Sequence, residues 1–193
     1  MIKTRRDLQE YLEWDKIALH KTQCKHPKLG RDEIWKYEIL LRYAEYYTNN
    51  RVGVWNRLMY VIYKYRFHRL SIRLGFSIPV NVFDKGLSIA HYGSIVVNDR
   101  ARIGKNCRIQ ENVTIGSTGG SADAPRIGDN VFVASGARII GDIEIANGIA
   151  IGANAVVTKS FLNENITLAG IPAKEISKNG SHGFVCKELI GKG

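Results

Sequence analysis

From residue 97 onward an aliphatic side chain returns every six positions: Val97, Ile103, Ile109 and Ile115, then Ile127, Val133, Ile139, Ile145, Ile151 and Val157. Such a period fits neither an α-helix, with about 3.6 residues per turn, nor an uninterrupted strand, with about two. Two positions before most of these residues stands a second small or aliphatic group: Ala101, Cys107, Val113, Val131, Ala137, Ile143, Ile149 and Ala155. A chain that runs a short strand, turns and repeats accounts for both series. Three hexapeptides then close one triangular coil of about 18 residues, with the repeated aliphatic residue pointing inward. Equivalent side chains of successive coils stack at the interstrand spacing of about 4.8 Å. The step from Ile115 to Ile127 is twice the period, and the surplus, Ser117 to Pro125, reads as a loop. Residues 78 to 160 hold about four such coils. The repeat alone leaves handedness open, since crossovers between parallel strands normally run right-handed.

The first 75 residues follow a different rule. Helices are expected over 5–20, 32–48 and 53–74, broken by Pro27 and Gly30, by Asn49 and Asn50, and by Gly75. The chain is therefore read as α+β, mainly β: an α-helical region (1–75), a β-helix (76–176) and a tail (177–193). Charge is uneven. Residues 1–76 carry +8 of the net +10, and between 51 and 74 stand Arg51, Arg57, Lys64, Arg66, Arg69 and Arg73 without an acid. That segment suits docking on a partner or peripheral contact with an anionic membrane; nucleic acid is not expected. Neither a membrane span nor a secretory signal is expected, and the three cysteines, Cys24, Cys107 and Cys186, have no CxxC spacing, as in a reduced cytoplasmic protein. No clustered ligands suggest a metal.

Within the repeat region stand Leu87-Ser-Ile-Ala-His91-Tyr-Gly93, Val113-Thr-Ile-Gly-Ser-Thr-Gly-Gly120, Pro125-Arg-Ile-Gly128, Gly136-Ala-Arg-Ile-Ile-Gly141, Ile151-Gly-Ala-Asn-Ala-Val-Val157 and Ala169-Gly-Ile-Pro-Ala-Lys174. In order and spacing these resemble the hexapeptide-repeat acyltransferases, and among them the serine acetyltransferase-like group. The short leader and the His91-Tyr92-Gly93 tripeptide look most like the capsular or exopolysaccharide O-acetyltransferase branch. The resemblance implies a left-handed β-helix, a homotrimer with active sites between subunits, and acetyl-CoA as co-substrate with no permanently bound cofactor. It also implies that His91 matches the catalytic histidine. Ser117, Thr118 and Gly119 match the loop at the thiol end of the cofactor, Ser135 and Ala153 match positions whose backbone lines the pantetheine, and Lys159 and Lys174 stand where basic side chains meet the nucleotide phosphates. Three positions depart from the serine enzymes. Ala90 replaces the aspartate before the histidine, Phe76 the aspartate that orients it, and Ala124 a second active-site histidine, with Asp123 where an arginine helps hold the serine carboxylate.

Transfer of acetyl from a thioester to an alcohol needs a base for the hydroxyl proton and a donor for the developing oxyanion. A neutral imidazole suits the base, which assigns that role to His91. Asp84 and Asn81 before it, and Glu111 after it, are the candidates to fix its tautomer. A backbone N–H in the Ser117 to Gly120 loop, or one from a neighbouring subunit, is the candidate oxyanion donor. The expected acceptor is a sugar hydroxyl of a surface-polysaccharide precursor, because the lost serine contacts argue against free L-serine. Serine O-acetylation, an amine acceptor and a non-catalytic β-helix scaffold are the alternatives. The expected location is the cytoplasm, including the inner face of the membrane.

Overall fold

Residues 1–119 and 123–192 are described by a computed structural model. The leader forms α1 (Arg5–Ala18), α2 (Glu33–Asn49) and α3 (Val54–Leu74). At the start of α1 the Thr4 hydroxyl accepts from the Asp7 N–H (3.1 Å) while the Asp7 carboxylate accepts from the Thr4 N–H (2.9 Å), so two amides without helical partners are satisfied together. α3 stops at Gly75, whose φ of +79° is open to glycine at little cost.

From Phe76 the chain coils. Five parallel segments build the first face: Phe76–Ser77, Ile95–Val97, Val113–Gly116, Arg138–Ile140 and Val156–Val157. The second has Arg102–Ile103, Arg126–Ile127 and Glu144–Ile145, extended at either end by single bridges through Phe83 and Phe161. The third has Ser88–Ile89, Arg108–Ile109, Phe132–Val133, Ala150–Ile151 and Thr167–Ala169. Partners on the first face lie 18 residues apart, as Ile95 with Val113 and Arg138 with Val156, and 24 apart where Thr114 meets Arg138 across the loop. There are thus five levels among the described residues, one more than the periodicity suggests. The first level is built from Phe76, Phe83 and Ile89, outside the regular aliphatic series.

All ten periodic aliphatic residues are buried, between Val97 and Val157, in one continuous core. Corners turn through left-handed asparagines, among them Asn106, Asn130, Asn154 and Asn165 (φ +54° to +57°), the non-glycine residue type that adopts this region most readily. Their side chains also stack: Asn106 Nδ2 donates to Asn130 Oδ1 at 2.8 Å.

An open β-helix leaves unpaired backbone groups at each end. Carboxyl groups of the leader cover the first level. Asp15 accepts from the N–H groups of Gly86 and Leu87 (2.8 and 2.9 Å), Glu38 from that of Ile89 (3.0 Å) and Glu45 from that of Asn81 (2.8 Å). Fully buried Arg42 ties them together, pairing with Asp15 at 2.6 Å and Glu45 at 2.9 Å and donating to the carbonyls of Phe83 and Asp84. At the far end Lys174–Ser177 pairs antiparallel with Thr167–Ala169 and closes the sheet. The tail then folds back on its own chain: Cys186 and Leu189 pack with Trp14 and Ala18, and the Cys186 carbonyl accepts from Asn106 Nδ2.

Candidate active site

Strand register assigns the expected site residues to two edges of the prism. Ile89 pairs with Ile109, Ile109 with Val133 and Val133 with Ile151. Two residues beyond each, where the third face turns into the first, His91, Glu111, Ser135 and Ala153 therefore follow one another down a single edge. Lys174 starts the antiparallel closing strand opposite Ala169, at the end of this column. The other edge lies where the first face turns into the second. There Ser117 Oγ accepts from Asn98 Nδ2 (3.3 Å), Thr118 lies against Gly141, and Lys159 occupies the register position two levels on, with Nζ 5.3 Å from the centre of the Phe161 ring. Strand Ile95–Val97 separates the edges, on the order of 10 Å of extended backbone. One chain thus brings His91 together with Ser135 and Ala153 but not with Ser117, Thr118, Gly119 or Lys159. Gly120, Ser121 and Ala122 of the loop, and Gly193 of the tail, lie outside the described residues.

His91 is exposed and lines a cleft of about 360 Å³ between the leader and the first coil, with Trp35, Tyr92, Arg31 and Arg108 among the walls. The carboxylate that faces it is Glu111, one level along. The backbone N–H of Glu111 itself and then the Ser135 hydroxyl hold that carboxyl below the usual carboxylate range against an opposing effect of burial, with the charge of the His91 ring a smaller aid. Its Oε2 is buried without a hydrogen-bond partner among the described residues. Gly93 (φ +134°) folds over this group: a Cβ at 93 would stand 3.1 Å from Glu111 Cβ. The glycine of the His-Tyr-Gly tripeptide therefore permits a close approach of the backbone after His91 to Glu111.

Asp84 and Asn81 do not share this site. Asp84 Oδ1 accepts from the Lys85 N–H at 2.7 Å, and its side chain turns toward the Tyr11 hydroxyl. Asn81 exchanges two hydrogen bonds with Asn49 of α2, at 2.9 and 3.0 Å. Both line a different hollow, on the second face. Closeness to His91 in sequence misleads here, because each corner of a coil turns the chain onto another face.

Cys107 is buried inside the coil, and burial pushes its thiol up to about 12, which suits packing and disfavours a thiolate nucleophile. Ala124 is likewise buried in the core, so the loop presents a methyl group to the interior there. Ser135 is also held by Gln110, whose Oε1 accepts from its N–H at 3.0 Å.

The stacked hexapeptide coils with a histidine at one edge define the class: hexapeptide-repeat transferases. No family model matches the chain. It is 31% identical over 178 residues to the serine acetyltransferase of Staphylococcus epidermidis, covering 91% of this chain and 78% of that one. It is 39% identical over 98 residues to serine acetyltransferases of Staphylococcus aureus, but there the match spans 50% of this chain and only 46% of the relative. Among solved structures, serine acetyltransferase of Brucella abortus superposes with a TM-score of 0.66 at 25% identity, over 92% of this chain and 72% of that one. A second structure of that enzyme, in complex with coenzyme A, gives a TM-score of 0.68 at 24% identity, over 92% and 70% of the two chains. The chain belongs to the serine acetyltransferase family, with the left-handed parallel β-helix of its structural neighbours.

Proposed function

We propose that this chain is an acetyl-CoA-dependent O-acetyltransferase and that L-serine is its acceptor. The observation that carries the reading is His91, exposed at a coil edge beside the Glu111 carboxylate, in a chain of the serine acetyltransferase family. The acceptor hydroxyl gives its proton to the imidazole as its oxygen attacks the thioester carbonyl. The tetrahedral oxyanion collapses, the C–S bond breaks, and the imidazolium returns the proton to the CoA thiolate. Glu111 orients the ring and offsets the charge that forms on it, as carboxylates do in other base–orienter pairs. Coenzyme A in the Brucella abortus relative supports acetyl-CoA as donor; the family resemblance is what lays it along the edge of Ser135 and Ala153, with Lys159 and Lys174 near its phosphates. In this reading residues 76–176 are the transferase domain, 1–75 its leader, and a homotrimer completes each site by setting the Ser117–Gly119 edge of one chain against the His91 edge of the next.

A sugar hydroxyl, the acceptor the sequence favours, keeps one specific support. By the resemblance, Ala90 and Ala124 offer no polar side chain where serine enzymes carry an aspartate and a second histidine, and Phe76 none where they carry the aspartate that orients the catalytic histidine; Phe76 and Ala124 are buried in the core. The similarity to serine acetyltransferases over 91% of the chain outweighs it. Release of CoA with L-serine, against a panel of nucleotide sugars and short glycans, decides between them. Turnover on L-serine that falls by about 10² to 10⁴ in His91→Ala is expected; turnover on a sugar alone, with the same dependence on His91, would overturn the serine reading and keep the transferase.

A further inference from the structure

Helix α3 is apolar on two opposite sides. Its inner stripe, with Phe67, Ser71 and Leu74 buried, packs toward α2 and the first coil, where Phe67 and Phe76 flank the Tyr37 ring. The outer stripe runs Val54, Leu58, Val61, Tyr65 and Ile72, in steps of four, three, four and seven, and each of these residues is at least half exposed. Because the two stripes oppose each other, the sequence shows little net amphipathic bias, and only the packing of the inner one leaves the outer one visible.

Cations border the outer stripe on both sides. At 100° per residue Arg57 and Lys64 fall along one margin and Arg66, Arg69 and Arg73 along the other. No acid occurs between residues 51 and 74. Glu33 of α2 reaches Arg73 electrostatically but is paired with Lys36 at 2.8 Å. The result is an apolar ridge about 30 Å long, rimmed by positive charge.

We propose that this face is the surface by which the protein lies on a bilayer containing anionic phospholipid. The stripe would enter the boundary between headgroups and acyl chains, with the two basic margins on lipid phosphates. Charge complementarity selects this occupant. An isologous pairing of two copies through this face would set cation rows against cation rows, with no acid in the segment to offset them. A nucleic acid would use the margins but leave the apolar ridge idle. No described helix is long and apolar enough to cross a membrane, so the contact is peripheral. The proposal is independent of the acceptor and of catalysis.

The test is flotation of the full chain with vesicles of phosphatidylcholine alone and of equimolar phosphatidylcholine and phosphatidylglycerol. Binding to the mixed vesicles only is expected, released by salt near 0.5 M, where the screening length has shrunk to roughly 4 Å. Partitioning should fall at least about tenfold in Leu58→Glu/Val61→Glu and, at low salt, in Arg57→Gln/Lys64→Gln. These positions are exposed, and unchanged circular dichroism verifies that the variants fold. Absence of binding, or equal binding to neutral vesicles, overturns the proposal. So does a smaller assembly in Leu58→Glu/Val61→Glu by sedimentation without vesicle binding by the parent, which would assign the face to a second copy. An oligonucleotide that binds as tightly as the mixed vesicles, unaffected by Leu58→Glu/Val61→Glu, would assign the margins to nucleic acid.

Discussion

His91 is singled out in the sequence by its match to the catalytic histidine of the family it resembles and by the fitness of an imidazole as base; in the structure it is exposed at a coil edge, two residues past the inward Ile89. Its partner is harder to read. In a β-helix the spatial neighbour of a corner residue lies one level away, so the carboxylate beside residue 91 comes from residue 111, whereas Asp84, seven positions upstream, belongs to another face. Register counting from the Ile89–Ile109 pair identifies Glu111; nearness along the chain does not. Replacing Glu111 with Gln keeps the shape and removes the charge that offsets the imidazolium. A loss of kcat on the order of tenfold or more is expected, with KM for acetyl-CoA little changed; steady-state kinetics reads the split, and an unchanged kcat would remove Glu111 from the mechanism. Thiol reactivity tests the packing role of Cys107 at the same scale. Cys107 and Cys186 are buried and only Cys24 is partly exposed, so the native protein should give one fast-reacting thiol per chain toward a disulfide reagent and all three after denaturation. A reactive Cys107 in the folded protein would reopen covalent catalysis.

Among the elements, the coils are legible because inward aliphatic residues must recur once per side, and the three helices because their apolar spacing and breakers are local. The first level escapes that pattern. Its Phe76 and Phe83 are larger than the repeat's aliphatic residues, and amides at its open end are satisfied by Asp15, Glu38 and Glu45 from the leader, an arrangement that no local pattern announces. Within this cluster burial pushes the Glu38 carboxyl well above its ordinary 4.5, the Asp15 charge adds to the rise, and the Ile89 N–H and Arg42 oppose it. A raised value means that the folded chain holds a proton where the unfolded chain has released it. The stability this group contributes is therefore complete below about 4.5 and is lost as pH rises toward the raised value. Glu38→Gln keeps an oxygen for the Ile89 N–H and cannot ionise. Urea midpoints at about pH 5 and about pH 8 should show the variant gaining on the parent at the higher pH, while Asp15 and Glu45 titrate in both and largely cancel. A constant difference would mean that Glu38 is ionised in the folded state.

At the scale of the whole molecule, the separation of the two edges has a consequence for how many chains make one site. His91, Ser135 and Ala153 lie along one edge of the prism and Ser117, Thr118 and Lys159 along another, with a strand of the first face between them. In the proposed trimer, the thioester end of acetyl-CoA reaches the Ser117 loop of one chain where that loop adjoins the His91 edge of the next, as in a closed threefold ring where each interface is heterologous. Two crippled proteins can then repair each other. His91→Ala lacks the base but keeps an intact Thr118 edge, whereas Thr118→Trp obstructs its own loop edge and keeps an intact His91. Each alone should be inactive. Unfolded together in equal amounts and refolded, random assembly gives each interface a half chance of an intact edge from either side, so about a quarter of parental activity should return. Mixing the two after folding should restore activity only as fast as subunits exchange. If co-refolding restores nothing while size-exclusion shows mixed assemblies, the site lies within a single chain, and the groups at the Ser117 edge act on something other than the acetyl donor.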